Sequence, residues 1–190
     1  GPGNAYVVAA KRLLVGHVSI DLLPGPSEVL VLADETANPA FAAADILAQA
    51  EHGSGHERCW LVSSSTRVLK AVGREIEKQL PERSRADYIR KVLKHSGWLI
   101  QVKSRAEGIA LVNRLAPEHC EVMIKDPRSA AKEIVTAGAL FLGNTSPTVT
   151  GDYVAGPSHT LPTGGAGASF PGLTVDTVSY THLRAHETMA

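Results

Sequence analysis

An α/β fold built on a mainly parallel sheet is what this sequence predicts, on three observations. Short apolar runs rich in β-branched residues recur along the chain, each bounded by turn residues. Between them lie amphipathic stretches of about 10 to 15 residues, the length of helices that connect neighbouring parallel strands. The composition is that of a globular protein: 190 residues, 44% hydrophobic and 20% charged, are enough for one ordinary domain with a real core.

The elements follow in order. Asn4 is a plausible N-cap for a helix over Ala5 to Leu14, which Gly16 ends, and Leu22 to Ser27 is Pro/Gly punctuation. Glu28 to Ala33 (EVLVLA) reads as a strand buried on both faces. After a polar loop, Pro39 sits where proline is tolerated, in a first helical turn, and the helix from Phe41 to His52 is closed by Gly53 and Gly55. Cys59 to Val62 is a strand, Thr66 to Leu80 an amphipathic helix, Arg83 to Lys94 a second, and Trp98 to Val102 a strand. Ser104, with Glu107 three residues on, makes a capping-box pattern for a helix reaching Leu115, where Pro117 interrupts it. Strand Glu121 to Ile124, helix Pro127 to Ala137 and strand Ala139 to Leu142 complete the series. From Gly143 to Gly172 the pattern stops and Gly, Pro, Thr and Ser dominate. A loop of that length is usually functional or disordered, and Asp152, Tyr153 and His159 favour the former.

Charge and cysteine content exclude several classes. Nineteen Lys and Arg balance nineteen Asp and Glu, so no bulk field attracts a polyanion. No apolar run approaches the roughly 20 residues that cross a bilayer, and no charged segment precedes an apolar signal core. The chain therefore reads as cytoplasmic, with neither nucleic acid nor membrane as partner. Two cysteines, Cys59 and Cys120, are read as buried free thiols rather than a disulfide framework.

Several side chains have the chemistry of a site. Gln49 and His52 stand three apart near a helix end and so share a face, although a His there is by default a cap for the last carbonyls. Glu118 and His119 lie just before a strand, where α/β sheets often present functional groups. An acid beside an imidazole supplies two proton-transfer groups; the alternative is a solvated turn. Asp152 and His159 sit in the Gly-rich loop and are of the types that bind zinc, or are simply exposed. Asn4, after Gly1-Pro2-Gly3, stands at a helix start that suits a phosphate or ribose hydroxyl, without the full dinucleotide fingerprint. Ser27 is a hydroxyl into a site or a turn residue. His182 and His186 share helical spacing, lack the intervening Glu of a metalloprotease motif and are read as non-functional.

Taken together, the strings GPGNAYV at 1–7, GPSEVLVLADETANP at 25–39, ILAQAEHG at 46–53, APEHCEV at 116–122, GALFLGN at 138–144 and GDYVAGPSHTLPTGG at 151–165 resemble histidinol dehydrogenases, in order and over 1–175. The resemblance implies a Rossmann-like parallel sheet flanked by helices, incomplete relative to the family, with a long Gly/Pro-rich functional loop. It implies oxidation of L-histidinol to L-histidine through the aldehyde with two NAD+ and one Zn2+, in a homodimer. Gln49, His52 and Asp152 resemble three of four zinc ligands, the fourth being a His usually contributed by the partner subunit from a segment absent here. Glu118 and His119 resemble the acid/base pair. Ser27 and His159, together with Gln49, His52, His119 and Asp152, fall at substrate positions, and Asn4 at an NAD position. Cys120 replaces the usual aliphatic residue after the Glu-His pair, a mild change for a buried position. By the same resemblance, 1–27 ends a first Rossmann-like domain, 28–175 forms the main part of a second, and 176–190 reads as a non-native tail. The isolated chain is then a fragment expected to be inactive. The alternatives are a related dehydrogenase of another small polar alcohol, such as a sulfonated diol, and a non-catalytic fold fragment.

Overall fold

The computed structural model describes residues 5–18, 20, 23, 25–153 and 161–169, the side chain of Asp152 excepted. Five strands, β1 (Glu28–Ala33), β2 (Arg58–Ser63), β3 (Gly97–Gln101), β4 (His119–Met123) and β5 (Ala139–Leu142), form one sheet in the order β3-β2-β1-β4-β5, every pair parallel. The connections are the expected helices: α2 (Pro39–Ala50), α3 (Thr66–Gln79) with a 3-10 turn at Leu80–Glu82, α4 (Ala86–Ser96), α5 (Arg105–Leu115) and α6 (Pro127–Ala131). They follow α1 (Ala5–Leu14), none of whose residues is buried.

Alternation along each strand sorts its side chains to two faces. Val29, Val31, Ala33, Cys59, Leu61 and Met123 pack under α2, α3 and α4. Leu30, Leu32, Trp60, Val62, Cys120 and Val122 pack under α5 and the segment around α6. Because both faces are covered, all six residues of β1 are buried, which is why its sequence is a continuous run rather than an alternating one. Both cysteines are free and buried. Burial, then the charge of Glu57, pushes the Cys59 thiol up to about 12. Among the described residues no helix is long and apolar enough to cross a membrane.

Most element boundaries shift by one to three residues from the sequence reading, and three departures are larger or bear on the site. β4 begins at His119 rather than Glu121, so His119 is a strand residue, paired with Val29 and Ala139. α6 stops at Ala131 instead of Ala137, because Asn113 of α5 captures the backbone beyond it. Its side chain donates to Glu133 O and accepts from Val135 N–H, and its carbonyl accepts from the Thr136 hydroxyl. Within the stretch expected to lack elements, Val149–Tyr153 forms α7 and Ala166–Ala168 a 3-10 turn. At α5, Ser104 caps Glu107 N–H as expected, while the Glu107 carboxylate reaches Lys103 N–H rather than that of Ser104.

Candidate active site

All strands of a parallel sheet start at one edge, and a helix that follows a strand runs back toward it. The end of α2 therefore returns to the edge where β1 and β4 begin. Ser27, Glu118, His119, Gln49 and His52 all belong to that amino edge. Open α/β sheets usually bind ligands outside the carboxyl ends of their strands, so this gathering lies at the opposite edge from the general rule.

Glu28 is the hub. Its N–H donates to Glu118 Oε2 at 2.9 Å, and its carbonyl faces His119 Nδ1 at 3.0 Å. A carbonyl only accepts, so Nδ1 carries the proton and the lone pair of the neutral ring is on Nε2. Glu118 Oε2 lies 3.6 Å from His119 Nδ1, Glu118 is buried, and His119 is half-buried with its ring 6.0 Å from that of Phe141. Ser27, half-buried, immediately precedes this hub and accepts Arg58 N–H through its carbonyl.

The Glu28 side chain itself is buried. Oε1 pairs with the Arg58 guanidinium at 3.1 Å and Oε2 accepts Gly164 N–H at 3.1 Å. Burial raises its carboxyl above the ordinary range, and the Gly164 and Arg58 donors only partly offset that. Gly25 N–H also bonds to Thr163 Oγ1, so the later part of the Gly-rich stretch is tied to the amino edge beside Glu118. Gly138 makes the close approach possible: a Cβ there would lie 2.7 Å from Glu118 O.

Gln49 is 6% exposed, and its Nε2 has no partner among the described residues. His52, exposed, follows one residue after the C-cap Glu51, its N–H donating to Gln49 O. The turn behind it is fixed by Glu57, whose carboxylate accepts from Gly53, Ser54 and Gly55 N–H and from the Tyr88 hydroxyl. Burial alone would raise the Glu57 carboxyl; these donors outweigh it and hold it below the ordinary range. Arg85 adds a bond to Glu51 O while lying 4.3 Å over the Tyr88 ring.

A carboxamide oxygen, an imidazole and a carboxylate form a donor set for a divalent ion with a position left for substrate. The unpartnered Gln49 Nε2 is a donor and so suits a hydrogen-bond acceptor rather than a cation, which leaves the carboxamide oxygen as the atom that suits a metal. Among the described residues no three His, Cys, Asp or Glu side chains gather into a metal-holding group. The third expected ligand side chain, Asp152, and Asn4, His159, His182 and His186 lie outside the described residues. The backbone of α7 is nevertheless near: a Cβ at Gly151 would come 3.1 Å from the Phe141 ring, the same ring that neighbours His119. Sequence reasoning missed Glu28, Glu57, Asp45 and Glu121. For Glu28 and Glu121 the available signal was a lone carboxyl inside an otherwise apolar strand.

The histidinol dehydrogenase family model matches residues 1–185. Histidinol dehydrogenase of a Synechococcus species is 46% identical over 177 residues, covering 93% of this chain and 41% of its own length. That of Thermus thermophilus is 46% identical over 175 residues, covering 92% and 42%. The crystal structure of histidinol dehydrogenase from Elizabethkingia anophelis superposes with a TM-score of 0.87 at 41% identity, covering 93% of this chain and 41% of that one. The chain thus spans about two fifths of the length of its curated relatives. A match over nearly every residue, at this identity and on the same sheet, establishes that the chain belongs to the histidinol dehydrogenase family.

Proposed function

We propose that this chain supplies the catalytic middle of a zinc- and NAD+-dependent dehydrogenase that oxidises L-histidinol to L-histidine through the aldehyde, closing histidine biosynthesis. The observation that carries the reading is the double use of Glu28, whose N–H holds Glu118 and whose carbonyl holds His119 Nδ1. A carboxylate and an imidazole with its acceptor nitrogen preset are what two successive alcohol oxidations need. In the first, His119 Nε2 takes the hydroxyl proton as the carbinol hydride passes to NAD+. In the second, Glu118 takes a proton from the water that adds to the aldehyde while His119 returns its proton to the carbonyl oxygen, giving the hydrate and a neutral ring. His119 then takes a hydroxyl proton of the hydrate as its hydride passes to a second NAD+, leaving the carboxylate.

Gln49, His52 and Asp152 would hold the zinc, which when bound supplies a Lewis-acid anchor orienting the substrate through its imidazole and amino nitrogens. Ser27 and His159 contact the substrate and Asn4 the NAD+. The protein works in the cytoplasm as a homodimer, the partner subunit completing the zinc site. The exposed α1 belongs to a first Rossmann-like domain, and the sheet is the main part of a second.

Histidinol-dependent NADH formation by the complete gene product tests this reading. His119→Gln is expected to lower kcat about a thousandfold with an unchanged melting temperature, and the 190-residue chain alone is expected to be inactive. Undiminished turnover in His119→Gln would remove His119 from the chemistry. NADH formation from a sulfonated diol but not from histidinol would assign another substrate.

A further inference from the structure

Glu121 is fully buried in β4, between Val31 of β1 and Phe141 of β5. Burying a carboxyl without compensation is strongly unfavourable, so its partners are informative. Oε1 accepts a hydrogen bond from Thr148 N–H at 3.1 Å. Oε2 meets no donor among the described residues when both local carboxyls are ionised. Asp45 of α2 bonds to Glu121 carboxyl to carboxyl, which requires one of the two to keep its proton. Burial first, then the charge of Asp45, raises Glu121, and burial raises Asp45 as well, so the pair shares one proton near neutral pH.

Both partners lead to the ligand set of the proposed reaction. Asp45 lies four and seven residues before Gln49 and His52, on one stripe of α2 and its end. Thr148 is the residue before α7, the helix that carries Asp152. A Cβ at Gly151 would come 3.1 Å from the Phe141 ring, so the same helix lies close to the sheet one residue from Asp152.

We propose that Glu121 is a positioning residue whose carboxyl, bonded to Asp45 on one side and Thr148 N–H on the other, clamps the Asp152 segment against the Gln49–His52 helix. It thereby sets the spacing of the zinc ligands. The inference rests on the reading that Gln49, His52 and Asp152 hold zinc, and it is tested apart from turnover.

Zinc affinity of the complete gene product is measured by competition with a chromophoric chelator, with the melting temperature recorded for each variant. Glu121→Gln retains a donor and an acceptor and is expected to bind zinc within about twofold of the parent. Glu121→Leu keeps the bulk and removes both bonds, and is expected to weaken zinc binding about tenfold or more, the usual effect of losing a group that orients a metal ligand. Asp45→Ala breaks the same clamp from the helix side and is expected to match it, so the comparison stands even if one variant does not fold. A folded Glu121→Leu or Asp45→Ala protein with parental zinc affinity would overturn the clamp, as would a Glu121→Gln protein as weak as Glu121→Leu. A parent that binds no zinc would instead overturn the ligand assignment beneath it.

Discussion

β2 and β4 flank β1 on its two sides in matching parallel register, and they differ in what they present on the face under α2. Opposite Val31, β2 places Leu61 and β4 places Glu121; opposite Val29, β2 places Cys59 and β4 places His119. A buried Glu precedes each strand, but Glu57 before β2 ties down a turn, whereas Glu118 before β4 stands beside His119. The turns differ as well. The one before β2 uses Gly53 and Gly55 at positive φ, where no Cβ is strained, while the helix before β4 ends on Ala116 at φ 47, a left-handed conformation that costs a non-glycine residue about 1–2 kcal/mol. After its first residue each strand is fully buried, so the contrast lies in the side chains. One half of the molecule spends its interior on stability, and the other places ionisable groups and strain where apolar packing would be more stable.

Putting the same side chain on the two strands is the sharpest way to break that contrast. Leu61→Gln loses apolar packing and buries an amide with no partner, and is expected to cost about 4 kcal/mol of unfolding free energy in urea titrations. Glu121→Gln is expected to have the opposite sign near neutral pH. Its folded pKa, about 9, is raised above the ordinary 4.5, so the native state holds a proton that the unfolded chain has released. The parent is fully stable with respect to this group below 4.5 and loses stability as pH rises toward about 9, a loss the neutral amide does not share. The advantage of Glu121→Gln should therefore shrink on acidification. A variant less stable than the parent at neutral pH would show that Glu121 is ionised in the fold.

Glu57 should behave the other way. Its pKa is lowered, so its contribution is present above the ordinary 4.5 and disappears as pH falls through the folded value. Glu57→Gln is expected to cost about 1.5 kcal/mol near neutral pH, the scale of hydrogen bonds to a charged acceptor, with the deficit closing in acid. A deficit independent of pH would assign the effect to packing. The smallest effect is expected at Gly55, φ 80, where a Cβ meets nothing within 4 Å. Gly55→Ala should cost about 1 kcal/mol from backbone strain alone, read as a small drop in the denaturation midpoint. No change would mean that the turn relaxes freely and does not hold His52.

Much of the scaffold is legible in the sequence because covered strands must be apolar runs and the helices between them must be amphipathic. All five strands and the helices flanking them are recognisable on that ground. The end of α6 is not, because its backbone is captured by Asn113, some twenty residues earlier. α7 is hidden in a stretch whose Gly and Pro content argues against any element. Among the site residues, Gln49 with His52 and Glu118 with His119 stand out as pairs at helix and strand ends. Glu28 does not, since the bonds that make it the hub join residues 90 and 91 positions apart. Glu121 and Asp45 are likewise single charges in apolar segments, and only the folded chain brings them together as a pair. Sequence separation also hides the edge at which the site assembles, because that depends on α2 returning to where β1 began.

The amino edge of the sheet, against the usual preference for the carboxyl edge, is expected to hold the metal beside Glu118 and His119. Zinc-edge anomalous diffraction from crystals of the complete gene product tests it most directly. One peak is expected, bonded to Gln49, His52 and Asp152 at about 2.0–2.2 Å, at the start of β4. A peak at the carboxyl edge, or zinc bound without Gln49 and His52, would contradict it.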